Sequence, residues 1–115
     1  MKPCNKEILN DIIRSELGLY KVEFAKKNYD LAFRHLERVH IVSQPYPLQH
    51  TFIHLKMLKF AILTFRPVEV LIQLIFSLFS GKFSILGIYP AGNTGGANAI
   101  FKGKMEIPED LKKKM

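Results

Sequence analysis

The stretch ERVHIVSQPYPLQHTFIH, residues 37 to 54, holds three of the chain's four histidines. Imidazole is the commonest transition-metal ligand, and histidines joined by a carboxylate make an N/O donor set for Zn²⁺ or a similar divalent ion. His50 and His54 stand four residues apart, a spacing that puts both side chains on one face of a helix. HTFIH is not the zinc-protease H-E-x-x-H, because Thr51 stands where the general-base glutamate is required. ERVH is an E-x-x-H of the kind that lines di-iron bundles. Those sites need two such motifs and further glutamates, and this chain has one.

These residues must be positioned by helices. The 3.6-residue apolar period predicts four, over about 6–26, 30–43, 48–65 and 67–80, with Pro67 suited to a first helical position. Short connections make the neighbours antiparallel, so the expected fold is all-α, two helix hairpins forming a tetratricopeptide-like pair in a single domain. No second copy appears at the period of about 34 residues that a repeat array requires. From Gly81 onward glycines and prolines break the periodicity. This predicts an extended piece at SILGIY, an irregular loop at AGNTGGAN and a tail ending in EIPEDLKKKM, the whole segment wrapping back over the third and fourth helices.

At 100° per residue, His50 and His54 fall on the inward face of the third helix with Met57 and Ala61, away from Lys56 and Lys59. Glu37, His40 and Gln44 share a strip beside the core face of the second helix. Glu16 lies within the apolar stripe of the first, where a carboxylate must be paired or bind an ion. Heights follow from the rise of 1.5 Å per residue. Reflection through Asn28 sets Glu16 opposite His40, and reflection through Pro47 sets His40 opposite His54 and Gln44 opposite His50.

Two readings follow. In the first, Glu16, His40, His50 and His54 ligate a divalent metal, zinc by preference, with Glu37, Arg38 and Gln44 as supporting or alternative ligands. In the second, the same groups form a hydrogen-bonded network inside a non-enzymatic helix-hairpin interaction module. His35 faces away from the strip and reads as structural or exposed. The loop carrying Gly92, Asn93, Thr94, Gly95, Gly96 and Asn98 suits an anion nest in composition, but no G-K-[ST] follows it. Its structural alternative is a turn that needs positive φ at its glycines.

The order AFRHLERVHIVSQ, HTFIHLKML, PAGNTGGAN and EIPEDL resembles a family of small uncharacterised bacterial proteins, a domain of unknown function. The likeness runs from about Glu16 to near the end of the chain. It implies that Glu16, His35, Glu37, Arg38, His40, Gln44, His50, His54 and the Asn93–Asn98 loop match a recurring signature, E-R-x-H-x-x-x-Q, H-x-x-x-H and G-N-T-G-G-A-N. Val39 replaces a small residue common after E-R, and the proline-flanked turn is this chain's own; neither touches a candidate ligand. The resemblance implies no particular activity.

The rest of the composition bounds the class. At 115 residues and 48% hydrophobic, the chain fits one core. One cysteine, Cys4, excludes a disulfide framework and a Cys-rich zinc site. The charged N-terminal residues lack a signal peptide's apolar run, and the expected location is cytoplasmic. The net charge of +7 is scattered along helix faces without an aromatic-plus-basic motif, so no specific nucleic-acid partner is expected. The apolar stretch from Val68 is interrupted by Glu69, Gln73, Gly81 and Lys82, and its uncharged run is shorter than the roughly 20 residues that span a bilayer. It is expected to be a covered core helix rather than a transmembrane span. Because it has little polar face, an interfacial position or a protein partner or second copy on the third and fourth helices is the alternative.

Overall fold

The computed structural model describes residues 3–115. Four long helices follow one another: α1 (Lys6–Ala25), α2 (Tyr29–Ser43), α3 (Pro47–Leu63) and α4 (Pro67–Leu86). A single 3-10 turn at Ala97–Ala99 and a short helix α5 (Glu109–Lys114) complete the chain, and there is no strand among the described residues. Each long helix packs on the next in sequence, so the fold is a row of antiparallel hairpins. Asn5 caps α1 by accepting from the Ile8 amide, and Pro47 and Pro67 open α3 and α4, where a missing N–H costs nothing. The main core lies between α1, α2 and α3, where Ala32, Leu36, Val39, Ile53, Met57 and Phe60 are buried. Phe33 stacks on Phe60 with ring centroids 5.0 Å apart.

Three departures from the sequence pattern bear on the site. α4 does not stop near Gly81 but continues through SIL to Leu86, so the expected extended piece is helical. Gly81 serves helix packing instead of termination: a Cβ there would stand 2.9 Å from Thr51 Oγ1 on α3. The true stop is Gly87, whose φ of 70° lets the Ile88 amide donate back to the Phe83 carbonyl. The tail is also ordered. Leu111 of α5 is fully buried against Cys4, Leu9, Ile12 and Val42, and Asp110 is bonded twice by Arg38.

The third departure concerns what covers α4. Its buried residues are Gln73, Ser80 and Ser84, while Leu71 is 58% exposed, Leu78 68% and Ile85 73%. The helix is inverted, polar inward and apolar outward, and the C-terminal segment does not cover its outer face. α4 is the one described helix long and apolar enough to cross a bilayer.

Candidate metal centre

His40 near the end of α2 and His50 and His54 on α3 meet in one buried cluster. The short turn between the helices, with Pro47 opening α3, makes this possible: His40 lies one turn before it and His50 one turn after. His50 Nε2 is 3.1 Å from His40 Nε2 and 3.2 Å from His54 Nε2, and one ligand atom from each ring can be chosen with all three within 4.8 Å.

The outer nitrogens decide what the inner ones present. His40 Nδ1 lies 2.7 Å from the Asn93 carbonyl, which can only accept, so Nδ1 donates. His50 Nδ1 lies 2.7 Å from Ser84 Oγ, and that hydroxyl spends its own proton on the Gln44 carbonyl at 2.5 Å, so Nδ1 donates again. His54 Nδ1 lies 2.6 Å from Gln73 Oε1. The amide orientation of Gln73 is fixed because its Nε2 donates to Glu69 Oε1 and to the Gly95 carbonyl, both at 2.8 Å. All three rings thus carry the proton on Nδ1 and turn an Nε2 lone pair toward the others.

Burial keeps them neutral. Desolvation, followed by the neighbouring rings His54 and His50, holds His40 well below the ordinary imidazole range. Desolvation and then His54 push His50 down to about 3. Desolvation lowers His54 to about 4 against the opposing hydrogen bond from Gln73. Neutral imidazole with a free lone pair is the form that can ligate a cation.

A cavity of about 80 Å³ adjoins the histidines, walled by Phe76, Phe83, Ile88 and Ile100 as well as Gln44 and Ser80. Ser80 Oγ is buried without a hydrogen-bond partner among the described residues. Among the described residues the cavity wall contains no carboxylate.

Glu16 does not join the cluster. Its carboxylate accepts from Arg38 Nε at 2.9 Å and pairs with His35 Nδ1 at 2.7 Å, on the side of α2 that faces α1. The reflection argument fixes height but not side, and α2 lies between α1 and α3, so a group at the right level meets Arg38 instead of His40. Arg38 accordingly links Glu16 to Asp110 and supports no histidine. Glu37 is half-buried in a neighbouring groove with Asp30, Arg66 and Glu69, where burial raises its pKa. Gln44 stands beside the histidines and braces the glycine loop, donating to the Pro90 carbonyl and accepting from the Gly92 amide.

The loop is part of the site's frame. Asn93 donates to the Ala99 and Gly103 carbonyls and accepts from the Gly95 amide, which holds its own carbonyl over His40. Gly95, at φ 82°, lies so close to the His40 ring that a Cβ would fall 2.6 Å from it. A family model described as "protein of unknown function (DUF3703)" matches residues 7–115. The chain belongs to this family. Neither a curated protein nor a solved structure matches it. The DUF3703 match spans the histidines and every residue that holds their Nδ1 protons. Two of those, Gln73 and Ser84, escape a search for ligand motifs. Their signal is a polar stripe, Gln73, Ser77, Ser80 and Ser84 at intervals of four, three and four, in an otherwise apolar helix.

Proposed function

We propose that this DUF3703 protein binds a divalent transition-metal ion, Zn²⁺ in first place, through Nε2 of His40, His50 and His54. The observation that carries the reading is the tautomer set: His40 and His54 donate from Nδ1 to carbonyl oxygens, and His50 donates to a Ser84 hydroxyl whose own proton goes to Gln44, which leaves three Nε2 lone pairs. A purely protein-satisfied network would instead turn the Ser84 hydroxyl toward His50 Nδ1 and put the His50 proton on Nε2, giving up the bond from Ser84 to the Gln44 carbonyl. Zn–N bonds of about 2.0–2.1 Å set the N···N edge of a tetrahedron at about 3.3 Å; the two edges at His50 are 3.1 and 3.2 Å, and all three donor atoms lie within 4.8 Å of one another.

Three protein ligands leave a fourth position, which the cavity beside the histidines can supply to a small exogenous ligand. The Ser80 hydroxyl offers that ligand a hydrogen bond.

Elemental analysis of protein purified without a metal-affinity tag, followed by zinc titration, tests the proposal. Near-stoichiometric zinc uptake that is lost in His54→Ala is expected. Less than about a tenth of an equivalent of transition metal, with no uptake on titration, sinks it.

A further inference from the structure

We infer that the outer face of α4 is a docking surface for anionic lipid bilayers, on which the helix lies in the membrane plane. The inverted helix gives the first observation. At 100° per residue, Lys82 falls between Leu71, Ile75 and Leu78, directly opposite the inward Gln73, Ser80 and Ser84. These two leucines and one isoleucine are between 45% and 68% exposed, and α3 repeats the pattern on its own outer side, with Leu48, Leu55 and Ile62 around Lys59. A helix of this composition is ordinarily buried in a core or in lipid.

The inward stripe sets the orientation. Gln73 and Ser84 are bonded to His54 and His50, and Glu69 accepts from the Ala97 amide and from Gln73. Crossing a bilayer would require those polar groups to leave the site or enter hydrocarbon, whereas an in-plane helix immerses only its apolar half. Over 20 residues it presents an apolar strip roughly 30 Å long.

Charge selects the occupant. From Val39 to Met105 the chain has six lysines and arginines, of which Arg66 is paired with Asp30 and Lys56, Lys59, Lys82, Lys102 and Lys104 are not paired among the described residues, and one acid, Glu69, whose two oxygens both face inward to hydrogen bonds. Lys82 Nζ lies 6.0 Å over the Phe79 ring and Lys56 Nζ 5.7 Å over Phe52, so both long stems run over aromatic surface, and stems of this length let an ammonium reach out to headgroups. A second copy fits less well. A two-fold contact through this face would bring Lys59 and Lys82 of both copies into one apolar seam, with no acid on the outer side of either helix to meet them. Reaching the acidic residues of α1 and α5 instead would demand a head-to-tail contact, which propagates rather than closes. Phosphate headgroups supply the missing negative charge directly.

The test is co-sedimentation of the full chain with vesicles of equimolar phosphatidylglycerol and phosphatidylcholine, beside vesicles of phosphatidylcholine alone. Binding to the anionic vesicles at least tenfold tighter than to the neutral ones is expected. Lys59→Glu with Lys82→Glu, both outward and outside the site, should weaken it by roughly tenfold or more. Leu71→Gln with Leu78→Gln should abolish it, while circular dichroism stays that of the wild type. Equal binding to both vesicle types, or none to either, overturns the inference. A lipid-free dimer that dissociates in Leu71→Gln with Leu78→Gln assigns the face to a second copy and likewise overturns it.

Discussion

Each histidine's donor atom is set by a residue that never touches the central point, and this makes the supporting residues experimentally distinct from the ligands. Ser84→Ala removes the acceptor of His50 Nδ1 but no lone pair from the cluster. Zinc affinity, read by competition with a chromophoric chelator, should fall roughly 10–100-fold while the helical signal is retained; an unchanged affinity would mean the tautomer set does not matter. The same burial predicts a pH dependence for the metal-free protein. His50 and His54 titrate near 6.5 when unfolded and near 3 and 4 when folded, so between those limits the unfolded chain binds more protons. Their neutral, folded form is therefore fully favoured above pH 6.5, and stability drains as pH falls from 6.5 toward 4, by about 3 kcal/mol from His54 alone. Urea melts at pH 7, 5.5 and 4.5 measure the slope, and a flat profile would contradict the buried neutral assignment.

Elements rather than residues explain why His40, His50 and His54 could be brought together from spacing, and why Glu16 could not. Antiparallel helices joined by a tight turn have their heights dictated by the chain, so residues equidistant from Pro47 must meet if they also face each other. Which side of α2 faces α1 and which faces α3 depends on the docking of whole helices, and no local pattern encodes it. The four helices were legible for the same local reasons, proline openings and an apolar period. The continuation of α4 past Gly81 was not, because that glycine is selected by close approach to Thr51 on another helix. The polar stripe of α4 was visible yet uninformative until its neighbours were known. The glycine loop and the C-terminal helix can be tested separately. Gly95→Ala places a methyl against the His40 ring at a φ of 82° that alanine rarely adopts, so zinc affinity and melting temperature should fall together. Leu111→Ala opens the α5 cluster instead, at a cost of roughly 2–5 kcal/mol, and should leave zinc affinity of the folded protein within a few-fold. Parallel loss of affinity in both variants would mean that the site senses global stability and not its own frame.

At the scale of the molecule the proposed ion would tie α2 and α3 to the frame built by α4 and the glycine loop. α2 and α3 supply the imidazoles, whereas α4 and the 91–99 loop supply the groups that hold them, and α4 buries mainly polar residues. The main apolar core lies on the other side, among α1, α2 and α3. Ligand binding to the native state alone stabilises by RT ln(1 + [L]/Kd), about 2.7 kcal/mol at a free zinc concentration one hundred times Kd, which for a domain of this size raises the melting temperature by roughly 10 °C. Local openings report where that stabilisation acts. In hydrogen exchange, zinc should slow the amides of α4 and of the glycine loop most, since these must move away for a histidine to release its Nδ1 proton partner, and should change α1 and α5 least. His54→Ala should lose both the melting shift and the local protection, although its own destabilisation from the unpaired Gln73 amounts to roughly 1 to 3 kcal/mol. A chelator must then lower the melting temperature of zinc-loaded wild type and leave the variant where it was. If wild type and variant respond to zinc and chelator alike, or if protection rises evenly along the chain, the ion is bound elsewhere and the three histidines only pack.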